Sequence, residues 1–397
     1  MHKAFRLLLG LFIAAPCFAQ SSELGTVKVA AGDAVAVTLS GSTPELQNLA
    51  RVAFSTHGKF REVASGGAFA IKFAAVGANQ VTVTISKGSG MVHSETVTGT
   101  SLRNALLRAA DVAVTKTTGL PGYFAGKIAF VGGKTGQSEI YTSDLFFGDV
   151  LRWTSEGKQI VAPRWSPDGK RIIFTSYRTG FPDIYVIDLG TRRISLLASF
   201  KGTNSGGRFS PDGSRVAMVL SGEGNPEIYV GNAQGRQVKR LTKNQSVEAS
   251  PAWSPDGSRL VFSSDSIAVG KPQLFVMPAG GGTMTRLSTN ISGYCAEPDW
   301  STAAPSKIAF TAGQGRGFQI AVHDMSTGKT NWASKAPGDA IEPVWLADGR
   351  HVLCTFRGAN TTSLWIIDTE SPPGSLKATR VSPTAFGNAG SASYLSK

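Results

Sequence analysis

The chain has 397 residues and a formal charge of +13, with 41% hydrophobic and 17% charged residues. That length admits two domains and a sizeable core. No basic run exceeds two residues, so the positive excess reads either as dispersed surface lysine and arginine or as attraction to an acidic partner, anionic lipid or cell wall.

Residues 1–19 carry Lys3 and Arg6, an apolar run over 7–15, and then Cys17-Phe18-Ala19. The run is too short to span a bilayer, and the pattern is that of a secretory signal cut after Ala19. An exported chain meets no nucleic acid, and no later segment approaches membrane-spanning length. Cys17 leaves with the signal, so Cys295 and Cys354 remain. Export permits a disulfide between them, but they fall at different strand positions of adjacent repeats, and two buried thiols are expected.

Residues 20–119 form a first domain of α+β type. Strand material runs over 27–39. Thr43 caps a helix that opens on Pro44 and places Leu46, Leu49, Ala50, Ala53 and Phe54 at helical spacing, with Gly58 ending it. Residues 69–73 and 81–85 alternate with period two, as half-buried strands do, and a further strand is expected over 91–97. Ser101 caps a second helix carrying Leu102, Ala105, Leu106, Ala109 and Ala113 on one face, which stops before Gly119.

Residues 120–397 repeat. The phrase R-W-S-P-D-G at 164–169 returns as R-F-S-P-D-G at 208–213 and A-W-S-P-D-G at 252–257, with worn copies D-W-S-T at 299–302 and V-W-L-A-D-G at 344–349. The apolar residue after each turn falls at Ile128, Ile172, Val216, Leu260, Ile308 and Val352, separated by 44, 44, 44, 48 and 44 positions. In each phrase an aromatic residue ends one strand, Pro and Asp take the turn, and Gly supplies the positive φ that lets the chain double back. A third strand follows, such as 184–188 or 364–368, and a fourth after a Gly turn, such as 238–242 or 284–288. Four strands per repeat of about 44 residues is the period of a propeller blade, and six repeats predict an all-β six-bladed β-propeller. Residues 390–395 lie where a further innermost strand should begin, and the first repeat lacks one. The tail is therefore expected to close the ring and leave no open sheet edge.

Little here points to catalysis. Prolyl oligopeptidases carry comparable propellers beside a hydrolase domain with G-x-S-x-G, but this chain has no such pentapeptide. The mature histidines are His57, His93, His323 and His351, none with an evident nucleophile. No C-x-x-C or H-E-x-x-H spacing offers a metal site, so no catalytic residue, metal or cofactor is expected. Asp168, Asp212, Asp256 and Asp348 recur in step, as the turn explains without a metal. Trp165 and Trp253 read as packing between blades and not as sugar platforms. A propeller binding a sugar, cation or other small ligand in its channel stays open as the alternative function.

The signal, the compact first domain, the join carrying Leu102-Arg103, Thr118-Gly119-Leu120 and Gly126-Lys127-Ile128-Ala129-Phe130, the W/F-S-P-D-G repeats and the closing tail together resemble the TolB family, the periplasmic components of the Tol-Pal system. The resemblance covers nearly all of the mature chain. It implies a non-enzymatic periplasmic adaptor, monomeric outside its complex and at most peripheral to the membrane. Such proteins receive the peptidoglycan-associated lipoprotein Pal at the propeller's channel mouth and contact the inner-membrane protein TolA through their N-terminal segment, supporting outer-membrane integrity and constriction at division. Carried onto this chain, the mouth comprises Ala162, Arg164, Thr203, Gly206, Ala249, Ser250, Glu297 and Glu342. The N-terminal contact comprises Ser21, Ser22, Glu23, Leu24, Val27 and Val29. Glu297 and Glu342 share one slot, before Pro298 and Pro343. As a pair they could receive a basic segment or a cation, or each could simply cap its strand in solvent.

Overall fold

A computed structural model describes residues 34–371 and 376–396. The signal and the N-terminal contact segment from Ser21 to Val29 lie outside these residues.

The first domain is a five-stranded sheet in the order Phe60–Glu62, Val35–Gly41, Phe69–Gly77, Gln80–Lys87, Gly90–Thr98. Its first two pairings are parallel and the others antiparallel. Two helices, α1 (Pro44–Thr56) and α2 (Leu102–Thr118), pack on it and bury Leu46, Ala50, Ala53 and Phe54 from one, and Ala105, Leu106, Ala109 and Ala113 from the other. Thr43 and Ser101 accept the backbone N–H of Leu46 and Asn104, satisfying first-turn donors. Gly119 closes α2 at φ 76°. Helix α1 ends one residue before the expected stop, with His57 at the cap. The short strand Phe60–Glu62 is not visible in the sequence pattern, because three residues cannot display a period and only parallel pairing with Val35–Gly41 defines them.

Six four-stranded blades follow. The six apolar markers of the repeat are the second residues of the second strands and are fully buried. Each sits opposite the aromatic residue of the innermost strand: Trp165 faces Ile172, Phe209 faces Val216, Trp253 faces Leu260, Trp300 faces Ile308 and Trp345 faces Val352. In blade 1 the innermost strand is the tail, Ala389–Leu395, which pairs with Lys127–Gly132 and sets Tyr394 opposite Ile128. The ring is thus closed as the repeat count required. The single interval of 48 is absorbed outside the strands, in the hairpin loop 265–272, the crossover 287–294 and the turn 301–306. The outermost strands are shorter than the sequence suggested, shrinking to Lys239–Arg240 in blade 3 and Thr285–Arg286 in blade 4. Only one side of such a strand pairs, so little holds its ends.

The two domains share one apolar core. Tyr123 and Phe124, in the link, are fully buried among residues of α1, α2, blade 1 and blade 6. Asp111 of α2 accepts the N–H groups of Phe124 and Ala125, and Arg103 makes two bonds to Asp144 of blade 1, at 2.5 and 3.2 Å. Cys295 and Cys354 are both free thiols, buried in blades 5 and 6, as their different strand positions foretold.

Candidate functional site in the propeller channel

The innermost strands run from loops that cross between blades, at what we term the crossover mouth, to the W-S-P-D-G turns at the opposite turn mouth. Each breaks register once, at equivalent positions. At that bulge the backbone is left-handed in all six blades: Ala162 (φ 52°), Gly206 (67°), Ser250 (53°), Glu297 (53°), Glu342 (55°) and Ser391 (49°). Only one of the six is glycine. Left-handed backbone costs about 1 to 2 kcal/mol for a residue with a Cβ, so five blades hold this strain to keep the bulge, which re-aims the strand into the channel.

Six of the eight residues assigned to the mouth from sequence, Ala162, Arg164, Gly206, Ser250, Glu297 and Glu342, line a single cavity of about 200 Å³ inside the channel. Thr203 and Ala249 are not among its lining residues and are held to their own blades. The N–H of Thr203 donates to Ser221, and the carbonyl of Ala249 accepts from Ser263.

The carboxylates do something the sequence did not disclose. Glu297 Oε2 accepts from Thr311 Oγ1 at 2.7 Å and from the N–H of Glu342, the equivalent residue of blade 6, at 3.0 Å. Glu342 repeats the arrangement one blade on, with Oε2 taking Thr355 Oγ1 at 2.8 Å and the N–H of Ser391 at 3.0 Å, while Oε1 takes Ser391 Oγ at 2.6 Å. Both are half-buried and engaged in hydrogen bonds, so they do not stand as caps free in solvent. They stitch blade 5 to blade 6 and blade 6 to the closing strand. Burial, and then the charge of Glu342, push the Glu297 carboxyl up from its ordinary value.

Two residues further along, Arg208 of blade 3 reaches past blade 4 to Asp299 of blade 5. The matching residue of blade 4 is Ala252, whose small side chain leaves the path open. Arg164 donates to the carbonyl of Ala392 at 2.8 Å, and burial and then the Arg208 charge pull its guanidinium down. Arginine and carboxylate groups thus meet at the waist of the channel.

At the turn mouth a cavity of about 420 Å³ is edged by Trp165, Phe209, Trp253, Trp300, Trp345 and Tyr394. Their rings are committed to packing. Arg171 stacks on Phe209 at 4.6 Å, Arg215 on Trp253 at 4.6 Å and Arg259 on Trp300 at 4.9 Å, each from the preceding blade. The turn aspartates are equally spent. Asp168, Asp212 and Asp256 each accept from the serine of their own S-P-D-G and from a following N–H. These bonds hold Asp212 and Asp256 at about 2, the serine bond being the largest cause.

Blade 6 lacks that serine, and its aspartate serves the domain joint. Asp348 Oδ2 bonds His351 Nδ1 at 2.5 Å, and Oδ1 takes the N–H groups of Arg350 and His351. His351 Nε2 accepts the N–H of Gly58, from the first domain, at 3.1 Å. His57 stacks on Tyr123 with centroids 5.5 Å apart and lies 4.5 Å from the His351 ring. Sequence reasoning left these histidines unassigned, and only the missing serine in L-A-D-G hinted at the change. The trio His57, Asp348 and His351 is close enough to hold a metal. However, Gly58 and Lys59 N–H groups occupy one ring nitrogen of each histidine; Asp348, His351 and Gly58 form a hydrogen-bonded latch, while His57 Nε2 lies 3.9 Å from Asp348 Oδ2 and has no hydrogen-bond partner among the described residues. Burial, then the His351 ring, drive His57 well below its ordinary value, so it stays neutral.

Fold and channel together define a six-bladed propeller that shares one core with a small α+β domain, with paired charges at the channel waist and a face of irregular loops. Residues 114–379, two thirds of the chain, match the TolB beta propeller domain family, and the chain belongs to that family. It is 38% identical over 112 residues to the Tol-Pal system protein TolB of Nitrosomonas europaea, a stretch covering 28% of this chain and 26% of that protein. It is 37% identical over 123 residues to the protein of the same name from Roseobacter denitrificans, covering 30% and 27%. The chain therefore spans about a quarter of the length of the curated relatives it matches. Over the whole fold, the crystal structure of TolB from Acinetobacter baumannii superposes with a TM-score of 0.81 at 25% identity, covering 93% of this chain and 98% of that one.

Proposed function

We propose that this chain is an exported, non-enzymatic adaptor of a Tol-Pal-type envelope complex. It receives a peptidoglycan-associated lipoprotein at the crossover mouth and a TolA-like inner-membrane protein through residues 21–29, supporting outer-membrane integrity and constriction at division. The observation that carries this reading is the contrast in how residues are used. Waist arginines and carboxylates, ring aromatics and turn aspartates are engaged in holding the ring, whereas hairpin loops at the crossover mouth present exposed apolar side chains, Phe181 at 72% and Val269 at 94%. Large exposed apolar groups on one face mark protein contact.

Calorimetric titration of residues 20–397 with the soluble domain of the lipoprotein from the same organism tests it. Micromolar or tighter binding, roughly −8 kcal/mol, is expected, weakened by Phe181→Ala together with Val269→Ser. Absence of heat and of any shift in sedimentation would overturn it.

A further inference from the structure

We propose that the crossover mouth is built for an acidic protein surface, which it steers by a rim of lysines and anchors on one apolar arc. The inference rests on the adaptor reading and supplies the chemistry its partner must present. Lys158, Lys201, Lys243 and Lys335 stand in four of the six loops that cross between blades, and Lys134 and Lys271 stand in hairpin loops at the same mouth. All six are exposed, and among the described residues none forms an ion pair. The acids of these loops are already committed. Glu156 lies 3.5 Å from Arg178, Glu223 pairs with Arg240, and Asp339 pairs with Arg357 at 2.8 Å. Asp265 takes the N–H groups of Val247 and Gly270. The net field at this mouth is therefore positive, which gathers part of the chain's +13 onto the face left free by the first domain.

Shape distinguishes a protein from a lipid surface. Phe181, Phe200, Ile267 and Val269 are exposed along blades 2 to 4. On the opposite arc, between blades 6, 1 and 2, the mouth falls into a hollow of about 460 Å³ lined by Gly133, Gly136, Gln137, Gln159 and Asn388. A bilayer would cover the apolar arc and leave this hollow unfilled. A folded partner with a projecting polar loop beside an apolar patch fills both, and acidic residues around that footprint meet the lysines. Unpaired rim charges of this kind act on association rate and salt dependence more than on residence time.

The test is stopped-flow association of the full mature chain with the soluble lipoprotein domain at about 50 and about 300 mM NaCl, a range over which the screening length falls to roughly half. Wild-type association is expected to slow roughly tenfold across that range. A variant with Lys158, Lys201, Lys243 and Lys335 changed to Glu should start slow and lose the salt dependence. Lys170→Glu with Lys329→Glu, on the opposite face, should behave as wild type. Binding that persists with equal salt dependence in the quadruple variant overturns this inference and leaves the adaptor reading intact. If the lipoprotein domain does not bind at all, poly-L-glutamate is the second probe. Capture by wild type and not by the quadruple variant sustains the acid-selective face without that partner, and capture by neither refutes it. Co-sedimentation with vesicles of anionic phospholipid that the quadruple variant loses, alongside salt-independent protein binding, would reassign the lysines to a membrane and overturn the proposal.

Discussion

The two ends of the channel are made from the same strands and are used in opposite ways. At the turn mouth each blade repeats one device, an aromatic residue opposite a buried apolar marker and, in three blades, under an arginine of its neighbour. At the crossover mouth the loops differ in length and content from blade to blade, and their apolar residues face outward. Repetition marks the end whose partner is the next blade, and irregularity marks the end that we propose meets another molecule.

Substitutions at the turn mouth should therefore cost stability and spare binding. Trp253→Ala opens the ring between blades and is expected to cost roughly 3 to 5 kcal/mol, read by denaturant unfolding. An unchanged midpoint would mean that the aromatic ring is not core. At the waist, Asp299→Ala strands Arg208 and frees the N–H of Trp345, which Asp299 also accepts at 2.8 Å. We expect a loss of about 2 to 4 kcal/mol, discounted for the partial exposure of the arginine, and a smaller one when Arg208→Met accompanies it.

The joint between the domains carries a pH signature. His57 is held neutral by burial, so as pH falls below about 6.5 the unfolded chain binds a proton that the folded chain refuses, and stability declines. Between pH 7 and 5 the decline should reach roughly 1 to 2 kcal/mol, and His57→Phe should flatten it. Asp348 acts in the same direction but in a lower pH window. Burial raises its carboxyl, but the bonds from His351 outweigh burial and hold it well below its ordinary value, so its contribution is lost only at pH below about 3.8. A slope near pH 6 that survives His57→Phe would move the sensor elsewhere.

The smallest effects sharpen the comparison most. Phe181→Ala, at the crossover mouth, should leave stability within about 0.5 kcal/mol while weakening partner binding. Glu342→Gln retains one acceptor for Ser391 and should cost about 1 kcal/mol, with the loss appearing as earlier release of the closing strand in hydrogen exchange. Ala162→Gly relieves left-handed backbone and should be neutral to stabilising by up to about 1 kcal/mol. A clear destabilisation there would show that the bulge is held by the methyl group and not merely tolerated by it.

Much of this was legible in the residues. The 44-residue interval, the S-P-D-G turns and the strand-like tail give blade number, strand direction and ring closure, because turn chemistry and period-two alternation are local. The capping Thr43 and Ser101, each ahead of helical spacing, give both helices for the same reason. The candidate site was half legible. Aligning the repeats found the slot that holds Ala162, Gly206, Ser250, Glu297 and Glu342, but not what the slot does. Its left-handed backbone arises at a bulge against the next strand of the same blade, and the bond that Ser391 donates to Glu342 spans 49 residues to a neighbouring blade.

The sequence by itself thus determined the architecture, since repeats, turns and caps act through neighbours along the chain. Only the tertiary structure decided the use of each polar group: that Glu297 and Glu342 close the ring, that Arg208 and Asp299 pair across two blades, that His351 meets His57 from the other domain, and that the lysines of separate blades converge at one mouth. Hydrogen bonds and charges act through distance in space, and the ring brings together residues whose separation in sequence gives no sign of it.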